Sequence, residues 1–203
     1  AGSGIHAADF TVTLLPGAAV GSAASTTFQV TFAPGGTGLR TATLGIANND
    51  SNESPYEFAV QGIGQTEIEN WRSTYFGEAM ENVGNLEDFD ADGVNNLFEF
   101  AFGTIPSSQD SGGLPLQYAG SFAGGGVIVS TGQPVTQFAS LPDSMGFRVL
   151  FVRRKDYAAA GLTYTVQFSA DLGAWQISTA RPAVLADDGI HQIVSMPYSS
   201  DRK

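Results

Sequence analysis

The chain has 203 residues, 42% of them apolar and only 14% charged, with 25 glycines, no cysteine and a formal net charge of −11. That composition supports a packed core and argues against general disorder. The acidity disfavours phosphate backbones and anionic membranes as partners, and the lack of cysteine excludes disulfides, thiolate metal sites and thiol nucleophiles.

The low charge, with abundant Gly, Ser and Thr, suits extracellular β proteins better than cytosolic helical enzymes. No stretch approaches the roughly 18 apolar residues of a membrane span. Acidity favours divalent cations instead. The chain starts at Ala1 without an initiator Met or a signal peptide and ends at Arg202 and Lys203 after a strand-like run. That pattern is expected of a processed product or of part of a longer polypeptide.

Residues 1–64 read as strands and turns. Phe10 to Leu15 is β-branched and apolar. Thr27 to Phe32 alternates strictly, with Phe28, Val30 and Phe32 on one face, and Thr41 to Ile46 and Tyr56 to Val60 alternate again. A period of two with β-branched and aromatic residues predicts half-buried antiparallel strands. Turns are supplied by Pro16 and Gly17, by Pro34 to Gly36, and by Asn48 to Asn52, where Asn49 and Asn52 also fit the N-x-[ST] pattern. Strands at this spacing predict a sandwich. The pieces Phe28 to Pro34 (FQVTFAP), Ile46 to Asp50 (IANND) and Tyr56 to Gly62 (YEFAVQG) resemble the C-terminal part of a Hydin-type immunoglobulin-like domain. Domains of that type recur in bacterial choice-of-anchor D surface proteins. The resemblance covers about the first third of the chain. It implies an immunoglobulin-like β-sandwich at a bacterial cell surface, with the strands that such domains carry before Ile5 missing here.

Residues 65–105 change character. Ile68, Trp71, Tyr75 and Phe76 fall at i, i+3, i+7 and i+8, an amphipathic helical stripe, with Thr66 placed to cap it and Glu67 and Glu69 near its positive end. A second helical run, Asn95 to Phe102, ends at Gly103, a natural C′ residue. Between them lies Asp88 to Glu99, which fits D-x-[DN]-x-[DN]-G-x5-E at every fixed position. Calcium takes about six to eight oxygen ligands at about 2.3–2.6 Å. Asp88, Asp90 and Asp92 can each turn a carboxylate inward, and Gly93 permits the sharp turn. The Val94 carbonyl, Asn96 and a bidentate Glu99 then complete the set. Without a cation the clustered carboxylates repel one another, and a 12-residue loop closed by a bidentate Glu suits calcium better than magnesium. Bound calcium would pin Trp71, Tyr75, Leu97 and Phe98 into a small helical core.

The run from Trp71 to Pro106 also resembles the short calcium-binding segment of large secreted bacterial proteins, and the loops of dockerins and thrombospondin type-3 repeats. A dockerin carries two such loops and a calmodulin-like sensor pairs them, whereas a single loop is present here. The expectation is therefore a stabilising site rather than a sensor or a cohesin-binding module.

Residues 106–203 open with turn residues at Pro106 to Ser108, Asp110 to Gly113 and Gly124 to Gly125, around an apolar run at Leu114 to Tyr118. Strands are predicted at Val127 to Val129, Phe147 to Arg153, Leu162 to Phe168, Trp175 to Ile177 and Ile190 to Val194, the second of these the most buried. Arg153 to Lys155 reads as the solvated end of a strand. The run from Leu141 to Ile177 resembles the sandwich segment found downstream of such calcium loops in the same secreted proteins. The fold class expected is mainly β: two immunoglobulin-like sandwiches, 1–64 and 106–203, joined by a helical calcium-binding segment, 65–105.

No catalytic constellation accompanies this. His6 and His191 fall in different modules, and no Cys can join them at a zinc site. There is no G-x-S-x-G elbow and no phosphate-binding glycine pattern. Trp71 and Trp175 are expected in cores, with sugar stacking as the alternative. The expectation is a non-catalytic, calcium-stabilised extracellular or cell-surface protein of an adhesin, fibre or matrix. An open sandwich edge would let it assemble by strand donation between subunits. The alternative is a carbohydrate-binding accessory module of a secreted enzyme. Expected partners are other copies, neighbouring domains or glycans.

Overall fold

The computed structural model describes residues 2–77, 81–109, 114–122, 124–141 and 144–198. The turn expected at Asp110 to Gly113 and the chain end at Arg202 and Lys203 lie outside them. The architecture is mainly β, with two short α-helices, and the chain divides into two compact units, Ala1–Thr66 and Glu67–Lys203.

In the first unit β1 (Gly2–Ser3) leads through a 3-10 turn (Ala7–Asp9) to β2 (Phe10–Leu14), β3 (Gln29–Phe32), β4 (Gly38–Ile46) and β5 (Tyr56–Gly64). Strands β1, β4 and β5 form one antiparallel sheet, and β2 and β3 form a separate ribbon. The alternation in Phe28 to Phe32 is realised: Phe28, Val30 and Phe32 are half-buried while Gln29 and Thr31 are exposed. Those rings face the larger sheet. Phe28 lies 5.8 Å from Phe58, and a Cβ on Gly62 would stand 2.6 Å from the Phe32 ring, so the side-chain-free position makes room for it. Phe10 stacks on Phe32 at 4.9 Å. Buried Asp9 joins the layers: its carboxylate accepts from Arg40 Nε at 2.5 Å and from the Gly35 N–H at 3.1 Å. The Arg40 guanidinium holds that carboxyl below the usual aspartate range.

The second unit contains α1 (Glu67–Phe76), α2 (Asn96–Phe102), β6 (Gln117–Ser121), β7 (Gly124–Ser130), β8 (Val135–Leu141), β9 (Ser144–Arg154), β10 (Gln167–Phe168), β11 (Gln176–Ile177), β12 (Ala183–Asp187) and β13 (His191–Pro197). An antiparallel sheet runs in the order β12-β13-β9-β8, flanked by the hairpins β6-β7 and β10-β11. Leu150 and Val152 on β9 and Ile193 and Val194 on β13 are wholly buried, with Leu185 and Phe151 around them. This explains the unbroken apolar run of β9, which is central and covered on both faces.

Three sequence expectations change here. Arg154 is not a solvated strand end but is 8% exposed: its guanidinium grips Asp156 at 2.9 and 2.8 Å, approaches Glu67 at 3.5 Å and lies 4.4 Å over the Phe100 ring. Sequence alone shows only a basic run; burial is made tolerable by Asp156, just beyond that run, together with Glu67 and the Phe100 face from elsewhere in the fold. Only Gln167 and Phe168 of the strand expected at Leu162 to Phe168 are paired in a sheet. Trp175, expected in a core, is 56% exposed.

Candidate metal centre

The loop from Asp88 to Glu99 connects the region after α1 to α2. Asn95 caps α2 by accepting from the Phe98 N–H at 2.9 Å. The next two N–H groups are satisfied from the preceding segment, Asn96 donating to the Glu87 carbonyl at 2.8 Å and Leu97 to the Asn85 carbonyl at 2.9 Å. The helix closes at Gly103, whose φ of 75° is the left-handed C-cap expected from sequence and whose N–H donates to the Glu99 carbonyl.

The carboxylates of Asp88, Asp90 and Asp92 converge: one oxygen from each lies within 4.8 Å of the others. Two oxygens on opposite sides of one calcium ion are separated by about that span, since each bond is about 2.4 Å. The main chain wraps around these side chains. The Asp92 N–H reaches Asp88 Oδ1 at 3.3 Å and Asp90 Oδ1 at 3.2 Å, Gly93 donates to Asp88 Oδ2 at 2.8 Å, and Val94 donates to Asp92 Oδ1 at 2.9 Å. Ala91, with φ 62°, and Gly93, with φ 94°, supply the two left-handed residues that this wrapping needs.

The donor set fits a hard cation. Asp90 Oδ2 and Asn96 Oδ1 are both buried with no hydrogen-bond partner among the described residues, and such oxygens are costly unless something positive meets them. Burial first, and then the charges of Asp92 and Asp88, push the Asp90 carboxyl above the ordinary aspartate range. The other expected ligands are placed differently. Asn96 is 1% exposed, and its amide nitrogen donates to the Asn82 and Gly84 carbonyls, both at 2.8 Å. Glu99 is wholly buried in the first turn of α2 and does not join the mutual cluster of the three aspartates. Val94 is buried beside them.

The aromatic packing beneath the loop differs from the expected set. Trp71 meets Phe76 at 5.6 Å and Phe100 at 5.4 Å, and Phe76 meets Phe89 at 4.7 Å. Tyr75 lies 5.3 Å from Trp71 as expected, but it and Phe98 are exposed on one side. Three supporting groups escaped sequence reading. Gln109 donates to the Asp90 carbonyl at 2.6 Å, Arg72 donates to the Asn85 side chain, and the Tyr164 hydroxyl donates to the Ala101 carbonyl of α2 at 2.5 Å. All are long-range contacts with no local motif, and only the strand-like period around Tyr164 marked it as an inward position.

The histidines form no site with these residues. His6 Nδ1 accepts from the Thr41 N–H at 3.0 Å in the first unit, while burial lowers the His191 pKa in the second. Among the described residues no helix is long and apolar enough to cross a membrane. No protein family, no curated protein and no solved structure matches the chain.

Proposed function

We propose that this chain is a calcium-stabilised, non-catalytic structural protein of the bacterial cell surface or extracellular matrix, built from immunoglobulin-like sandwiches and assembling through strand edges. The observation that carries the reading is the convergence of Asp88, Asp90 and Asp92 within 4.8 Å, on a loop whose spacing is that of an EF-hand. Asp88, Asp90 and Asp92 would hold the ion, with the Val94 carbonyl, Asn96 and Glu99 completing the shell. Calcium there would neutralise the crowded carboxylates and fix the entry to α2. The packing of α2 against β9, through Arg154 and Tyr164, would pass that rigidity to the sheet of the same unit. The two-layer arrangement of alternating antiparallel strands supports the sandwich reading. The low charge and lack of cysteine support an exported protein.

The test is thermal unfolding with calcium and with excess chelator. A ligand that binds only the folded state stabilises it by about 2.7 kcal/mol at a hundred times its Kd. Calcium should therefore raise the melting temperature by several degrees, and Asp90→Ala should abolish the rise. Equal melting with calcium and with chelator in the parent protein would remove the metal from the reading. The exposure of Trp175 favours one second reading, a carbohydrate-binding accessory module, because a solvent-facing indole is a stacking surface for sugars. Glycan-array binding that depends on Trp175 would replace the structural reading.

A further inference from the structure

A groove of about 530 Å³ opens in the second unit between α2 and the segment 162–167. Its floor includes Val149 and Phe151, alternate residues on one face of β9, and one wall includes Phe98 and Phe102 of α2. The opposite wall is unusual. Six consecutive residues, Leu162 to Gln167, line it. Successive side chains of an extended chain point to opposite faces, so six in a row can border a groove only if the main chain itself runs along its rim. This segment has strand-like alternation, with Leu162, Tyr164 and Val166 half-buried and Thr163 and Thr165 exposed. Its pairing with β11 begins only at Val166, whose carbonyl accepts from the Ser178 N–H at 2.8 Å. The main-chain groups of Thr163, Tyr164 and Thr165 have no hydrogen-bond partner among the described residues. The rim is an open strand edge, and it carries none of the lysines, prolines or bulges that usually protect one.

We infer that this groove accepts a β-strand edge from a second copy of the chain, namely the free edge of β2 with Leu15 beyond it. The inference rests on the self-assembling structural reading given above and supplies its interface. Charge selects the occupant. The chain carries a net charge of −11, so two copies repel unless the surfaces that meet are neutral. No Asp, Glu, Lys, Arg or His lines the groove, and residues 10–39 contain none either. Within that neutral stretch β2 pairs, among the described residues, on one side only, with β3, so its other edge is open. Val12 and Leu14 of that strand and Leu15 just beyond it are exposed. Main-chain pairing along the rim and burial of these apolar side chains over Val149 and Phe151 form a strand-addition interface. The acceptor lies in one unit and the donor in the other, so the contact is heterologous and propagates head to tail.

The test is sedimentation velocity of the intact chain across a wide concentration range, with calcium present. Two variants interrogate the two surfaces without touching the core: Leu15 is 77% exposed on the donor and Leu86, at the mouth of the groove, is 81% exposed. Concentration-dependent association is expected, weakened about tenfold or more by either Leu15→Asp or Leu86→Asp because each buries a charge at the contact. Mixing Leu15→Asp with Leu86→Lys should recover part of it. A chain that stays monomeric throughout, or one whose association ignores both variants, overturns the proposal. The calcium-dependent shift in melting temperature is read in the same samples. Failure of that shift alone removes the metal and leaves the interface standing.

Discussion

Tyr164 shows how a single buried hydroxyl fastens the metal segment to the sheet. It donates to the Ala101 carbonyl on α2 at 2.5 Å and accepts from the Arg154 N–H at 3.2 Å. Burial raises its pKa above the ordinary phenol value, so the proton needed for that donation stays in place at every physiological pH. Its ring stacks on Phe151 at 5.8 Å and meets Phe102 edge-on at 5.8 Å. Tyr164→Phe keeps the ring and removes only the hydroxyl, leaving a carbonyl of α2 in a part-buried place without its donor. The expected cost is about 1–3 kcal/mol, read as a lower denaturant midpoint with an unchanged slope. A variant with the parent midpoint would mean that water replaces the hydroxyl and that the clamp lies elsewhere, in Arg154. Neither residue's role was legible in the sequence. Arg154 sits in a basic run that reads as surface, and its burial depends on Asp156, Glu67 and the Phe100 face. The aspartates were legible, because their clustering follows from a fixed local spacing.

At the scale of elements, legibility follows how local each cause is. Strands β3, β4 and β5 announce themselves by alternation, since each has one face toward its own core and one toward water. The end of α2 at Gly103 is equally local, and it is doubly fixed: φ is 75°, and an added Cβ would meet His191 Nε2 at 2.9 Å. Strands β8 and β12 give no such signal. In β8 the largest apolar residue, Phe138, faces solvent, and β12 is short with few β-branched residues. They are strands because β9 and β13 offer them main-chain partners, a fact of tertiary pairing. The reverse holds for Leu162 to Thr165, where the alternation is genuine but no strand among the described residues pairs with it. Its period was read correctly, and its missing partner is what makes the groove a candidate interface. The metal loop stands between these cases. Its three aspartates are placed by local turns, whereas Glu99 and Asn96 are placed by the burial of α2, so spacing alone did not give their orientation.

The division of the whole molecule into Ala1–Thr66 and Glu67–Lys203 has a consequence that can be measured. The metal loop belongs to the second unit, and both tryptophans, Trp71 and Trp175, lie there too. Trp175 is already exposed, so unfolding changes its surroundings little, whereas Trp71 is half-buried against Phe76 and Phe100. Tryptophan fluorescence therefore reports on the packing that calcium would stabilise and does not see the first unit, while calorimetry sees both. Two separate cores predict two calorimetric transitions, because cooperativity extends only as far as contiguous packing. Calcium should move the transition that coincides with the fluorescence change and leave the other in place, and Asp90→Ala should hold both where chelator puts them. If calcium instead shifts a single transition seen identically by both probes, the two units unfold as one. The stabilisation would then belong to the whole chain rather than to the calcium-bearing half, as expected for a clamp that must carry load from one module to the next.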